Sequence, residues 1–98
     1  MSKLKLAGIY GGQSTEHDIS IKSATSIVNA LDRSKYKISL IKIDKDGTWN
    51  TMSGDAINTA ERIAPITLVK HKDQTMIFNL TTNSFDQNID IAFPVLHG

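Results

Sequence analysis

The sequence predicts an α/β fold, in which a Rossmann-like parallel sheet is flanked by helices and carries a peripheral β-hairpin. Three features predict it: a short apolar strand that ends in glycines, an amphipathic helix after it, and a second, β-branched strand. Such a strand, helix and strand make a βαβ unit, whose strands are parallel. At 98 residues, 40% of them apolar, the chain has room for one domain, residues 1–98.

The first strand is predicted between Leu4 and Ile9, and it ends in a cluster of glycines that includes Gly11 and Gly12. The glycine spacing is not that of a dinucleotide-binding loop, and no Walker-type lysine follows it. The loop alone therefore indicates no nucleotide. Its simplest interpretation is the tight strand-to-helix turn that any βαβ unit needs.

The first helix is predicted to begin at Ser14 or Thr15, because either side chain can accept backbone N–H bonds as a cap. The carboxylates of Glu16 and Asp18 would then lie near the positive end of the helix dipole, which stabilises negative charge. Apolar and small residues recur at spacings of three and four, which predicts one core-facing stripe. The stripe consists of Ala24, Ile27, Val28 and Leu31, opposite Lys22, Ser26 and Asn29.

The second strand is predicted from Tyr36 to Ile43, where alternating apolar residues lead into a β-branched run. The turn at residues 44–47 ends in Asp-Gly, a pair suited to positive φ. We expect a short strand at residues 48–50 and a helical turn between Gly54 and Ile63.

Two β segments predict the peripheral hairpin: Pro65 to Val69 and Met76 to Leu80, on either side of the polar residues 71–74. Residues 81–88 are expected to form a polar loop.

The last apolar run, from Asp90 to Leu96, is interpreted as a buried strand that brings His97 and Gly98 to its carboxyl end. In open parallel sheets, ligands bind outside the carboxyl ends of the strands, where loops and helix N-termini converge. The glycine loop and the end of this last strand both reach that edge. We therefore expect them to line one cleft.

Composition narrows the classes of function. The formal charge of +1 comes from 11 basic and 10 acidic residues that are mixed along the chain, so neither nucleic acid nor a membrane is indicated as a partner. The absence of cysteine excludes disulfides and thiolate chemistry. No signal-peptide core and no run near the roughly 18 to 20 apolar residues of a membrane span occur, so a cytoplasmic protein is expected.

Taken singly, the polar residues near the expected cleft have simpler explanations. Glu16 suits the helix dipole and His17 a solvated helix start. Metal binding by His17 and His97 would need ligands that neither segment supplies. His71 lies in a polar turn away from both segments, and Trp49 is most simply a packing residue at the sheet edge.

The combination of motifs is more specific than any single residue. It consists of Gly11-Gly12, Ser14, Glu16-His17, Ser20 and Ser23-Ala24, followed near residue 100 by Phe93 to Gly98. Together these resemble the D-alanine:D-alanine ligases of the ATP-grasp superfamily, whose first domain has the pattern Ser-x-Glu-His-x-x-Ser-x-x-Ser-Ala and a strand ending in Leu-His-Gly. The resemblance runs from Lys5 to Gly98 and implies their amino-terminal, pre-ATP-grasp domain.

The resemblance implies roles for individual residues. Glu16 matches the acid that holds the ammonium group of the first D-alanine, and His97 matches a histidine at the substrate carboxylate end. These two would form the catalytic set, with charge-assisted bonds that orient the ligand. Ile19 matches an apolar contact to the alanine methyl, although it also suits a core position. Gly98 would contact the substrate beside His97.

The resemblance also implies an activity and its cofactors. The D-alanine carboxylate would attack the γ-phosphate of ATP, and the amine of a second D-alanine would open the resulting acyl phosphate to give the dipeptide for peptidoglycan. ATP and magnesium (or manganese) would bind in ATP-grasp domains that are absent from this chain. The 98 residues alone would be inactive, and a homodimer through this domain would be expected.

Three alternatives remain at this point. A D-alanine:D-lactate ligase shares the opening motif and differs in later loops. A stand-alone module for binding small anions or for dimerisation would have the same βαβ turn. In a purely structural interpretation, Glu16 and His97 would have no role in any reaction.

Overall fold

The computed structural model describes residues 3–12, 17–54 and 56–96. In chain order, the elements of these ranges are β1 (Leu4–Gly11), α1 (His17–Ala30), β2 (Tyr36–Ile43), β3 (Trp49–Met52), a 3-10 helix (Ile57–Thr59), β4 (Arg62–His71), β5 (Gln74–Asn79), β6 (Ser84–Ile89) and β7 (Ile91–Leu96). The strands form one mixed sheet in the order β6-β5-β4-β3-β2-β1-β7. Within the described ranges, no helix has the length and apolar character needed to cross a membrane.

The predicted βαβ unit is confirmed. Strand β1 pairs in parallel with β2 on one side and with β7 on the other. Strand β2 has the predicted bounds, and the remaining strand pairs are antiparallel. The α/β class is therefore confirmed, and the carboxyl ends of three parallel strands meet at one edge of the sheet.

Helix α1 packs the predicted stripe against the sheet. Ala24 and Val28 are buried, whereas Ser26, on the opposite side, is exposed. The helix ends where the Arg33 guanidinium donates from Nη1 to the carbonyl oxygens of Val28 (2.6 Å) and Leu31 (3.1 Å). These bonds add a charged side-chain donor to carbonyl groups at and just after the end of the helix.

One hydrophobic cluster, the helix-side core, lies between the sheet and α1 together with the 3-10 helix. Its buried members are Tyr10, Ala24, Val28, Ile38, Leu40, Ile57 and Val95. Side chains alternate between the two faces of a strand. Leu40 therefore belongs to this cluster, whereas its neighbour Ile41 faces the other way.

The second cluster, the meander-side core, lies on the opposite face of β1 and β2. Its buried members are Ala7, Ile9, Ile41, Ile43, Ile66, Ile77 and Ile89. In the described ranges, the antiparallel strands β4, β5 and β6 cover this face, and no helix does. The flanking by helices that the sequence predicts is thus found on one face, because the sheet folds over and covers the other face itself.

Strand β6 lies against β1 and β2 although four strands separate it from β1 in the sheet order. Gln87 Nε2 in β6 donates to Ser39 Oγ in β2, and Lys5 Nζ in β1 donates to Asn88 Oδ1 (2.8 Å). Asp90 alone joins β6 to β7, so the chain turns there from one edge of the sheet to the other. The Asp90 N–H donates to the Lys5 carbonyl (2.8 Å), and its carboxylate accepts the Lys5 N–H (2.7 Å).

The predicted hairpin is confirmed as the antiparallel pair β4–β5. Its turn consists of Lys72 and Asp73, both with positive φ (49° and 64°), as a two-residue type I′ turn requires. The hairpin also contributes to the interior, because Ile66 and Ile77 belong to the meander-side core.

The polar loop predicted at residues 81–88 is wrong, since residues 84–89 form β6. This strand buries only Ile89 among its side chains, so it lacks the apolar alternation by which a strand is recognised. Residues 84–89 form a strand because they pair with β5, although their own sequence pattern does not predict one. The expected helical turn is confirmed as the 3-10 helix Ile57–Thr59, and the short strand as Trp49–Met52.

Strand β7 is confirmed in place and direction, but its expected burial is wrong. It lies at a sheet edge, so Ala92, Phe93 and Pro94 are exposed and Phe93 keeps 39% of its accessible surface. Val95 is buried in the helix-side core. A proline is tolerated at this place because an edge strand leaves one side of its backbone without a partner strand.

Candidate functional site

The glycine turn after β1 is set by backbone conformation. Gly11 and Gly12 have φ values of 90° and 119°, which side chains rarely adopt. A Cβ atom at Gly12 would meet nothing within 4 Å, so conformation and not crowding requires glycine there. The Gly12 N–H donates to the Ile43 carbonyl at the end of β2 (2.8 Å), which fixes the turn at the carboxyl edge of the sheet.

Ser20 connects this turn to the two elements beside it. The residue lies in α1 and is 0% exposed. Its Oγ accepts the Gly11 N–H at 2.9 Å and donates to the Val95 carbonyl of β7. One hydroxyl group therefore joins the end of β1, the first turns of α1 and the end of β7.

The two segments expected to line one cleft meet at the edge of the sheet. Gly11 in β1 is the register partner of Leu96 in β7. Three of the sequence-predicted site residues, Glu16, His97 and Gly98, lie outside the described residues. The structure thus brings together the strand ends next to these positions.

Ile19 is the fourth predicted site residue, and it lies in the first turn of α1. Its side chain is 52% exposed and belongs to neither hydrophobic core. The interpretation of Ile19 as a core residue is therefore wrong. Its exposure leaves the side chain accessible from solvent on the helix that follows the glycine turn.

A buried polar group on the same edge was missed by the sequence analysis. Tyr10 is 2% exposed, and burial, followed by the negative charge of Asp44, raises its pKa to about 12. Asp44 Oδ2 in turn accepts a hydrogen bond from Nδ2 of the buried Asn50 (2.9 Å). An aromatic residue directly before two glycines was the only signal of this group in the sequence, and its polarity could not be inferred from apolar patterning.

His71 and Trp49 lie in the antiparallel part of the fold. His71 ends β4, with its ring centroid 6.2 Å from that of Phe85 in β6. Trp49 packs against the meander-side core, as expected of a packing residue. Its strand, β3, lies inside the sheet between β2 and β4, so the expected edge position is wrong.

The described residues form neither a cluster of metal-ligating side chains nor a phosphate-binding loop of the Walker or dinucleotide type. Among them, no three histidine, aspartate or glutamate side chains come together as a metal-binding group. The turn at Gly11 and Gly12 lacks both the spacing and the lysine of a phosphate-binding loop. The described part of the site consists of a glycine turn, the exposed side chain of Ile19 and backbone held in place by Ser20.

Comparison with known proteins gives the family. The family model described as D-ala D-ala ligase N-terminus matches residues 5–98. The chain belongs to this family. A D-alanine--D-alanine ligase of Thermoanaerobacter sp. (strain X514) is 43% identical over 105 residues, which cover 100% of this chain and 29% of that protein. The chain therefore spans about 30% of the length of the curated relatives it matches.

Solved structures of the family share the fold. The D-alanine-D-alanine ligase from Coxiella burnetii superposes with a TM-score of 0.72 at 33% identity, over 100% of this chain and 30% of that chain. The D-Ala:D-Ser ligase from Enterococcus faecalis gives a TM-score of 0.78 at 24% identity, over 99% of this chain and 30% of that chain. The edge where β1, β2 and β7 end is thus part of a fold that the family shares.

Proposed function

We propose that this chain is the amino-terminal, substrate-binding part of an ATP-dependent D-alanine:D-alanine ligase. Family membership over residues 5–98 is the observation that carries the proposal. The pairing of Gly11 with Leu96 supports it, because the segments that hold the candidate residues follow these two positions at one sheet edge.

In this proposal, the chain binds and orients the first D-alanine. The Glu16 carboxylate pairs with the substrate ammonium group, His97 and Gly98 lie at the carboxylate end, and Ile19 contacts the methyl group. Fixing both charged ends of so small a molecule directs its carboxylate towards the phosphate donor, and such positioning is a large part of the catalysis of phosphoryl transfer. ATP and magnesium bind outside these 98 residues and supply the activation of that carboxylate for amide formation.

The test is phosphate release by the full-length protein when D-alanine and ATP are both present. The expected result is D-alanine-dependent release that falls by roughly 100-fold or more in Glu16→Gln and in His97→Ala, because each loses an orienting contact. The chain offers matched controls in Glu61→Gln and His71→Ala, which make the same changes at exposed positions outside the two candidate segments. Full activity in both site variants would contradict the assigned roles, and no release by the parent protein would contradict the function.

The 98 residues alone should release no phosphate above background from ATP and D-alanine, because in this proposal ATP and magnesium bind in other parts of the full-length protein. Robust D-alanine-dependent release by this piece would contradict the proposed division of roles. In the full-length protein, offering D-lactate together with D-alanine tests the alternative ligase, since an ester and not an amide would then form. A sedimentation measurement on the same protein tests the homodimer.

A further inference from the structure

Ser20 makes hydrogen bonds that an ordinary helical serine does not make. In α1, Thr25 shows the common pattern, in which its Oγ1 donates to the Ile21 carbonyl one turn earlier (2.8 Å). The Ser20 hydroxyl instead accepts from the Gly11 N–H in β1 and donates to the Val95 carbonyl in β7. It therefore links the helix both to β1, the strand that precedes it, and to β7 at the far end of the sequence.

The bonds of Ser20 lie next to the positions of the candidate substrate contacts. Gly11 directly precedes the turn that leads to Glu16, and Val95 stands two residues before His97. Ser20 itself follows Glu16 by four residues in the sequence. A shift of this hydroxyl group would change the separation between the ends of β1 and β7.

We propose that Ser20 is a positioning residue that sets the distance between the ends of β1 and β7 and so shapes the pocket for the first D-alanine. This role rests on the proposed function. Ser20 does not touch the substrate, because it is fully buried between the helix and the sheet. It acts through the backbone at Gly11 and Val95.

Removal of the hydroxyl should alter the pocket and spare the fold. The ladder between β1 and β7 pairs six residues of each strand and does not depend on Ser20. In Ser20→Ala, the Gly11 N–H and the Val95 carbonyl lose their shared partner, and relief of this loss requires small movements of the strand ends. Such movements change binding at the edge of the sheet more than they change the rest of the enzyme.

The experiment measures initial rates of the full-length protein, with D-alanine and then ATP as the varied substrate. Ser20→Ala should raise the KM for D-alanine roughly 10- to 100-fold. The KM for ATP should stay within about twofold, because ATP binds outside these residues. Ser26→Ala, the same change at an exposed position of the same helix, should leave both constants unchanged.

A second variant protects the test against simple unfolding. Ser20→Cys fills nearly the same space but has only a weak donor and a weak acceptor, so it should shift the KM for D-alanine in the same direction by a smaller factor. Circular dichroism at the assay temperature confirms that both variants are folded. If the two KM values rise equally, or if D-alanine binding is unchanged in both variants, the positioning role is overturned. An inactive parent protein would overturn the proposed function and this role with it, whereas an active parent with unresponsive Ser20 variants would overturn only the role of Ser20.

Discussion

The two faces of the sheet show how one pair of strands can support two different interiors. Strands β1 and β2 contribute side chains to both the helix-side and the meander-side core. The helix-side core contains the tyrosine Tyr10 and lies beside the buried Ser20, and both residues are near the carboxyl edge. The meander-side core contains only isoleucine and alanine among its buried members. The candidate site lies at the carboxyl edge of the sheet, where the buried hydroxyl group of Ser20 joins the ends of β1 and β7.

The two cores also differ in what closes them. Helix α1 follows β1 after a short turn, so the helix-side core forms largely between neighbouring elements. The meander-side core closes only when β6 reaches back to β1, as the bond between Lys5 and Asn88 shows. Variants on each side should therefore affect different parts of the molecule.

The largest expected effect comes from truncating neighbouring buried residues of β2. Leu40 and Ile41 are both 0% exposed and face opposite cores. Each change to alanine should lower the free energy of unfolding by about 2 to 5 kcal/mol, because it leaves a cavity in a packed interior. Urea unfolding measures the loss.

Hydrogen exchange then distinguishes the two sides in these variants. Leu40→Ala should lower the protection of the α1 amides most, and Ile41→Ala that of the β4, β5 and β6 amides. Equal loss of protection in all elements for both variants would show that the two cores open as a single unit.

The corner at Asp90 gives the next largest effect. Asp90→Ala removes the carboxylate that accepts the Lys5 N–H (2.7 Å) and should cost about 1 to 2 kcal/mol of stability. Asp90→Asn keeps an acceptor oxygen and should cost less. Chemical unfolding of the three proteins would show this order, and equal stability of all three would mean that the corner is held by the strands alone.

Alkaline pH should weaken the helix-side core selectively. Burial raises the pKa of Tyr10 from 10.0 to about 12, so the folded state holds this proton more tightly than the unfolded state does. The resulting stability is present below pH 10 and is lost as the pH rises from about 10 towards 12, by at most about 1.4 kcal/mol per pH unit. The loss of stability per pH unit should be smaller in Tyr10→Phe and unchanged in the control Tyr36→Phe. An unchanged slope in Tyr10→Phe would show that other groups cause the loss.

The smallest expected effect is a gain of stability at the β4–β5 turn. Lys72 and Asp73 both have positive φ, which costs side chains free energy that asparagine and glycine largely avoid. The double change Lys72→Asn with Asp73→Gly should stabilise the chain by about 0.5 to 1 kcal/mol. Thermal unfolding measures it, and a loss of stability would show that these side chains make compensating contacts.

The helix-side half of the fold could be predicted from the sequence because its signals are local. The spacing of Ala24 and Val28 gives the buried face of α1, and the alternation in β2 gives that strand to the residue. Strand β6 could not be predicted, because it buries only Ile89 and its place depends on pairing with β5 and on contact with β1. Such distant contacts leave no periodic pattern.

The site was predictable in location but not in its internal connections. The glycines at Gly11 and Gly12 and the direction of β7 place two segments at one edge. Ser20 was recognised only as part of a motif, because nothing in the sequence shows that its hydroxyl bonds to Gly11 and Val95. The partner of a buried hydroxyl is decided by tertiary packing.

The central place of β1 has a consequence for the order of folding. Leu6 pairs with Ile91, so β1 has to wait for the synthesis of β7 before its second ladder can form. Bringing the two ends of so long a segment together costs conformational entropy. The cost falls once β6 has formed, because the turn at Asp90 then places β7 beside β1. During synthesis, one edge of β1 therefore remains open to pairing with other chains. When the turn at Asp90 places β7 beside β1, this edge is paired and no longer exposed.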